Sequence, residues 1–287
     1  MTGPDPRVAV VVASRNRREL LLRTLPRHLA LPERPRIVVV DNASTDGAAD
    51  AVDALPGVEL IRLERNLGGA ARNVGLRAVQ APYVGLSDDD SWWRPGGLRR
   101  AADLLDRHPR LAVVNARILV GAERRLDAVC EEMARHVLPT VGDQPGHPLL
   151  SFIACGVVVR RRAVLELGGF SERFGIGGEE LLGWDLAGAG WLMSYVPEIV
   201  AHHHPPPNDG RPERRERAVR NALWVTWLRR PARTAVERTV DVLHRCARDS
   251  ATARGVARAL TGLPWVLRER RVSPPHVEAM LRLLEAS

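Results

Sequence analysis

Short apolar segments rich in valine, each closed by a polar cluster, recur through the N-terminal third of the chain and leave few folds open. Residues 7–13 (RVAVVVA) and 36–40 (RIVVV) are continuous runs, the pattern of strands buried on both faces. Residues 58–63 and 83–86 add two more. Between them, residues 17–30 carry Leu20, Leu21, Leu25 and Leu29 as one apolar stripe, and 48–55 and 66–80 also read as helices. Strands alternating with helices at this spacing predict an α/β fold: a doubly wound, mostly parallel sheet with helices on both faces. Such sheets bind ligands at the carboxyl ends of their strands. The polar clusters fall there: Ser14-Arg15-Asn16, Asp41-Asn42 and Asp88-Asp89-Asp90.

Further along, helices are expected at 95–108, 161–167 and 179–189, and strands at 112–120, 152–159 and 193–201. Residues 121–148, with Pro139, Pro145 and Pro148, read as irregular. The last strand ends in His202-His203-His204, and Pro205-Pro206-Pro207-Asn208-Asp209-Gly210 breaks the chain. This predicts a catalytic domain over 1–210 and a helical extension over 211–287. Charge divides at the same place: 25 arginines face 26 acidic residues before residue 211, and 17 face 8 after it. Cys130, Cys155 and Cys246 form no paired motif, which suits a reducing compartment. The apolar run at residues 8–13 is too short for a signal peptide, and no stretch reaches the roughly 20 apolar residues of a membrane span. A cytoplasmic protein is expected, with contact at the inner face of the membrane a further option.

The clusters suit chemistry on a phosphorylated substrate. Mg²⁺ and Mn²⁺ prefer oxygen ligands, commonly one or two carboxylates plus phosphate oxygens. Asp88 and Asp90 can face one side of an extended strand end while Asp89 faces the other. Asp90 is assigned to the metal, and Asp88 to the metal or to the ribose. An imidazole from His202, His203 or His204 can complete such a set, with His202 and His204 sharing a side. Glu179 and Glu180 follow the glycine-rich Gly175-Ile176-Gly177-Gly178 at a helix start, where a carboxylate can serve as general base. Asp185 lies further along that helix. The small residues after Asn66 allow a nucleotide to approach closely, and Arg72 can reach a phosphate.

Taken in order, VVVASRNR, VVVDNASTDG, NLGGAARNVGL, GLSDDDSWWRPGGL, ACGVVVRRRAVLELGGFSERFGIGGEE and AGWLMSYVPEIVAHHH resemble family 2 glycosyltransferases of the GT-A fold, over about residues 7–204. The resemblance implies inverting transfer from a nucleoside-diphosphate sugar. It implies Ala13, Ser14, Arg15 and Asp41 around the nucleobase, and Asn66, Gly68, Arg72, Asp88 and Asp89 along the nucleotide. The metal motif would be Asp88 and Asp90. Cys155, Gly156, Trp184 and Asp185 would lie on the sugar and acceptor side. Counted from Gly190-Trp191, the base position falls on Glu179, with Glu180 left open. Counted from Pro197, the metal histidine is His203, whereas strand alternation pairs His202 with His204; that choice also stays open.

The basic extension, with Trp224, Trp227 and Trp265, reads either as helices packing on the catalytic domain or forming a homodimer, or as a surface for anionic lipid. No nucleic-acid motif is present in it. The acceptor expected is a glycan, a lipid-linked sugar or a small molecule. Competing readings are a nucleotidyltransferase, which should carry a glycine-rich phosphate loop after the first strand where this chain has Ser14-Arg15-Asn16, and a non-catalytic nucleotide-binding protein.

Overall fold

The two valine runs become the centre of a sheet in the computed structural model, which describes residues 3–135, 137–206, 212–246 and 249–286. β1 (Val8–Ser14) lies between β2 (Arg36–Asp41) and β4 (Tyr83–Ser87), parallel to both, and β3 (Val58–Arg62) pairs parallel with β2. Past β4 the order continues through β9 (Val157–Arg160), β6 (Leu111–Val120), β10 (Leu192–His203) and β5 (Ser91–Trp93). β6 and β10 pair in parallel, while β9 and β5 run antiparallel to their neighbours. Two short strands, β7 (Arg125–Leu126) and β8 (His147–Pro148), add to β6 and β10.

Both faces are covered, as the burial of Val8 through Val12 in β1 requires. Val8, Val10 and Val12 share one core with Leu21 and Leu25 of α1 (Arg18–Leu29), Val52 of α2 (Ala48–Asp53), and Leu98 and Leu105 of α4 (Gly97–Arg107). On the opposite face α3 (Ala71–Ala78) packs so closely that a Cβ on Gly75 would lie 2.4 Å from Val11 Cγ1. α5 (Ala128–Arg135), α6 (Arg161–Glu166) and α7 (Glu179–Gly188) complete this part of the chain.

Three expectations change in detail. Residues 121–148 are not wholly irregular: α5 forms there because Cys130 and Met133, three apart, give it a buried face. The strand expected from 152 starts only at Val157, after a 3₁₀ turn at Ala154–Gly156. The last strand runs past Ala201 to His203, because β5 pairs with it there.

The chain divides into two compact units, Met1–Pro205 with Leu283–Ser287, and Pro206–Arg282. The second holds α8 (Pro212–Arg229), α9 (Ala232–Cys246), α10 (Ser250–Leu260), α11 (Leu263–Glu269) and most of α12 (Pro275–Ala286). Its tryptophans are largely spent on its own core. Trp224 and Trp265 are buried edge to face at 5.2 Å, and Trp224 Nε1 donates to the Ala259 carbonyl at 2.9 Å. Trp227 Nε1 donates to Thr239 Oγ1. Arg230 and Glu278 form a buried ion pair at 2.7 Å. No described helix is long and apolar enough to cross a membrane.

The Gly75 contact sets a test. Gly75→Ala should lower stability by about 1–3 kcal/mol in urea unfolding, because Val11 is locked in the sheet. Gly97→Ala, whose Cβ would sit 3.6 Å from Ile199, should cost nothing and can gain up to about 1 kcal/mol from helix propensity.

Candidate functional site

Strand order reverses between β1 and β4: β2 and β3 follow on one side of β1, and β4 starts the other. The crevice at their carboxyl ends is where such a sheet takes ligands. Across that point Ser14 Oγ donates to Asp89 Oδ2 at 2.9 Å, and Thr24 Oγ1 donates to the Asp89 carbonyl at 2.9 Å. Asp89 is therefore drawn back toward β1 and α1. Burial, then Asp90 and Asp88 beside it, push its carboxyl up to about 7. The side chains of Ser14 and Asp89, expected along the nucleotide, are engaged with each other.

Asp88 accepts from Arg72 Nη2 at 2.5 Å, and its backbone N–H donates to Ser91 Oγ. Asp90 is buried, and its Oδ1 has no hydrogen-bond partner. His203 Nε2 lies 3.3 Å from that oxygen, off hydrogen-bond geometry. Burial opposes charge on His203, but Asp90 outweighs it and holds the imidazole above its ordinary value. His202 and His204 turn to the other side, where both ride on the Trp92 ring. Strand alternation thus sorts the three rings: the His203 imidazole faces the Asp90 carboxylate, while His204 meets Asp90 through its backbone N–H, which donates to the Asp90 carbonyl at 2.8 Å.

These groups suit a divalent cation. A buried carboxylate oxygen without a partner, beside an imidazole, is an oxygen and nitrogen donor set for Mn²⁺ or Mg²⁺. Among the described residues no three His, Cys, Asp or Glu groups converge as a ready-made cage. The remaining ligands of an octahedron would have to come from water or substrate phosphate.

Asp41, at the end of β2, is buried; Oδ2 accepts from the Ser44 N–H at 3.2 Å, and Oδ1 has no partner. Next to it, Asn42 accepts from the Leu67 N–H at 2.7 Å and donates to the Gly68 carbonyl at 3.0 Å. This ties the second strand end to the Asn66-Leu67-Gly68 loop, a role not foreseen for Asn42 although it follows Asp41 directly. Asn66 Oδ1 caps that loop by accepting from the Gly68 N–H. Ala13 is half-buried and Arg15 exposed.

Gly68 adopts φ +59°, and a Cβ there would lie 2.5 Å from the Gly175 carbonyl oxygen; the Gly69 N–H donates to that oxygen. The loop that leads into Glu179 is therefore seated on the loop that leads into α3. Glu179 is half-buried and close enough to Arg72 to act on its charge, whereas Glu180 is exposed. Arg72 stands between Asp88 and Glu179 rather than facing open solvent. Cys155 is buried beside Asp88 and Asp90, and burial, reinforced by their charge, pushes its thiol well up. Gly156 presses on Ile118 and Ala201, leaving no room for a side chain. Trp184 is buried and Asp185 half-buried on α7. Asn73 exchanges two hydrogen bonds with the Phe170 backbone, another link that gave no sequence signal beyond its place in the α3 motif.

Residues 9–168 match the family model for glycosyl transferase family 2. The chain belongs to that family. A pre-mycofactocin glycosyltransferase of Mycobacterium tuberculosis is 31% identical over 215 residues, which is 71% of this chain and 44% of the relative, so this family 2 chain spans under half that protein's length. An N-acetylglucosaminyl-diphospho-decaprenol L-rhamnosyltransferase of the same organism is 29% identical over 74% of this chain and 79% of its own. Among solved structures, S. aureus TarS residues 1–349 with UDP-GlcNAc superposes with TM-score 0.59 at 17% identity, covering 77% of this chain and 66% of the other. The mannosyltransferase PcManGT of Pyrobaculum calidifontis, with GDP-Man and Mn²⁺, gives 0.57 at 20%, covering 99% and 88%. The sheet is thus the GT-A type that the family resemblance implied.

Beneath the site, His28 is fully buried and its Nε2 lies 3.1 Å from the Ser91 carbonyl. Burial lowers its pKa from 6.5 to about 4. The unfolded chain then takes up a proton between pH 6.5 and 4 that the fold refuses, so stability is lost as pH falls through that window. From pH 7 to 4 the unfolding free energy of wild type relative to His28→Gln should fall by roughly 3 kcal/mol; the opposite contribution of Asp89 is common to both proteins and cancels in the difference.

Proposed function

We propose that this chain moves a sugar from a nucleoside-diphosphate sugar to an acceptor hydroxyl with inversion, in surface-glycan or secondary-metabolite biosynthesis. The observation that carries the reading is the convergence at one strand-order reversal of Asp90 with His203, and of Asp88 with Arg72 and Glu179. Relatives named as glycosyltransferases support it.

In this reading the open Asp41 Oδ1 accepts from an N–H of the base, and the Asn66–Arg72 segment borders the nucleotide. Asp90 and His203, with Asp88 beside them, would hold the divalent cation, which when bound neutralises charge on the departing diphosphate. The Mn²⁺ in the mannosyltransferase structure supports a divalent ion without choosing between Mn²⁺ and Mg²⁺. Glu179 takes the proton from the acceptor hydroxyl as its oxygen attacks the anomeric carbon. The bond from that carbon to the diphosphate oxygen breaks on the opposite face, which inverts the centre. Arg72, bonded to Asp88, also keeps positive charge within reach of Glu179. Cys155, Gly156 and the α7 residues Trp184 and Asp185 belong to the walls on the sugar and acceptor side.

We assign transfer to residues 1–210 and a docking role to 211–287. With its tryptophans largely engaged in packing, the extension offers instead Val236, Val240 and Leu243, exposed along one stripe of α9, and its excess of arginines. These suit peripheral contact with an anionic membrane surface more than a homodimer.

A thermal-shift screen of nucleoside diphosphates with and without Mn²⁺ tests the donor site. Metal-dependent stabilisation is expected, and is lost in Asp90→Ala and reduced in His203→Ala; no response from any nucleotide would sink the proposal. Glu179→Gln should lower kcat by about 10²-fold or more with donor binding kept. Unchanged turnover in that variant would move the base to Glu180.

A further inference from the structure

The side of β10 that faces away from Asp90 carries a second charged cluster. In the β5–β10 pairing Trp92 stands opposite His202, whose ring stacks on it at 5.3 Å and 16°, while His204 tilts over it at 4.6 Å. The Arg27 guanidinium covers the ring at 3.8 Å. Arg94 and Arg124 lie close enough for their charge to bear on His202, and Arg23 on His204. All four arginines are exposed, and among the described residues none is ion-paired with a carboxylate.

Like charges at this spacing repel, and solvent-exposed arginines ordinarily spread apart or pair with acids. Here Trp92 holds Arg27 in place through its π face, so part of the cluster is pre-organised rather than free to disperse. Because Arg27 and two imidazoles already cover the indole, it is poorly placed to stack on a sugar ring. What remains is a concentration of guanidinium forks, the geometry that recognises phosphoryl oxygens. The donor diphosphate belongs to the opposite side of the same strand end, with Asp90 and His203. We propose that the Arg27–Trp92–Arg124 cluster is an anion subsite for a phosphoryl group carried by the acceptor. The glycosyltransferase reading is needed only to say which substrate brings that group.

Calorimetric titration with inorganic pyrophosphate, in EDTA and without nucleotide, tests the subsite by itself. Wild-type protein should bind saturably, Asp90→Asn should bind as well, and the double variant Arg27→Gln, Arg124→Gln should lose about tenfold or more in affinity. Arg27→Lys with Arg124→Lys should restore part of it. Arg124→Asn alone, in the exposed turn after β6, removes one cation without touching the core, and should weaken binding measurably. Equal affinity in the double glutamine variant, or no binding by wild type, would overturn the subsite. Competition then names the source. Displacement of pyrophosphate by vesicles containing polyprenyl phosphate assigns a lipid-linked acceptor, and displacement by soluble hexose 1-phosphate a free sugar phosphate. Displacement by neither removes the acceptor assignment. Since no step of this requires transfer or a cation, its failure leaves the donor-site proposal standing, and the reverse holds as well.

Discussion

The hydrogen bond from Ser14 to Asp89 fixes how three consecutive aspartates are used. Three adjacent carboxylates repel, and left free they would splay into water. Drawing the middle one back onto β1, with Thr24 holding its carbonyl, leaves Asp88 and Asp90 at the mouth of the crevice. The cost falls on Asp89, whose carboxyl is pushed up to about 7, so it can carry a proton near neutral pH. Asp88 then meets Arg72, and Asp90 meets His203, each with a single cationic or ionisable partner. The middle aspartate thus acts as a spacer between the outer two.

Most of the sheet was legible in the sequence because buried parallel strands leave little freedom in composition. The runs at β1 and β2 admit hardly any polar residue, and α1 carries its apolar face at helical spacing. What escaped notice was pairing of short segments. β5 is three residues long, and nothing local says that Ser91-Trp92-Trp93 will line up against His203, His202 and Ala201. That pairing decides which histidine faces Asp90; strand alternation alone set His202 and His204 on one side and left open which side meets the aspartates. α5 was hidden by the prolines that follow it, which made the surrounding stretch look irregular as a whole.

Site residues were legible as types and less so as contacts. Arg72 was expected to face a phosphate, and its side chain lies on Asp88. Ser14 was expected at a base, and its hydroxyl is committed to Asp89. In both cases the partner comes from a strand end some distance along the chain, which a sequence cannot rank. The tryptophans of the basic extension show the same limit: indole beside arginine resembles a membrane anchor, but Trp224 and Trp265 fill the unit's own interior.

The seating of Gly175 on Gly68 and Gly69 joins two loops more than a hundred residues apart through backbone atoms, with the exposed Arg65–Glu172 ion pair, 2.9 Å long, beside it. The glycine contact itself offers no side chain to exchange for another of similar size. Ordering of the α3 loop and ordering of the loop before Glu179 become one event, and linkage makes the effect mutual. Whatever steadies one loop steadies the other. A drift of either glycine would have to be answered by the other.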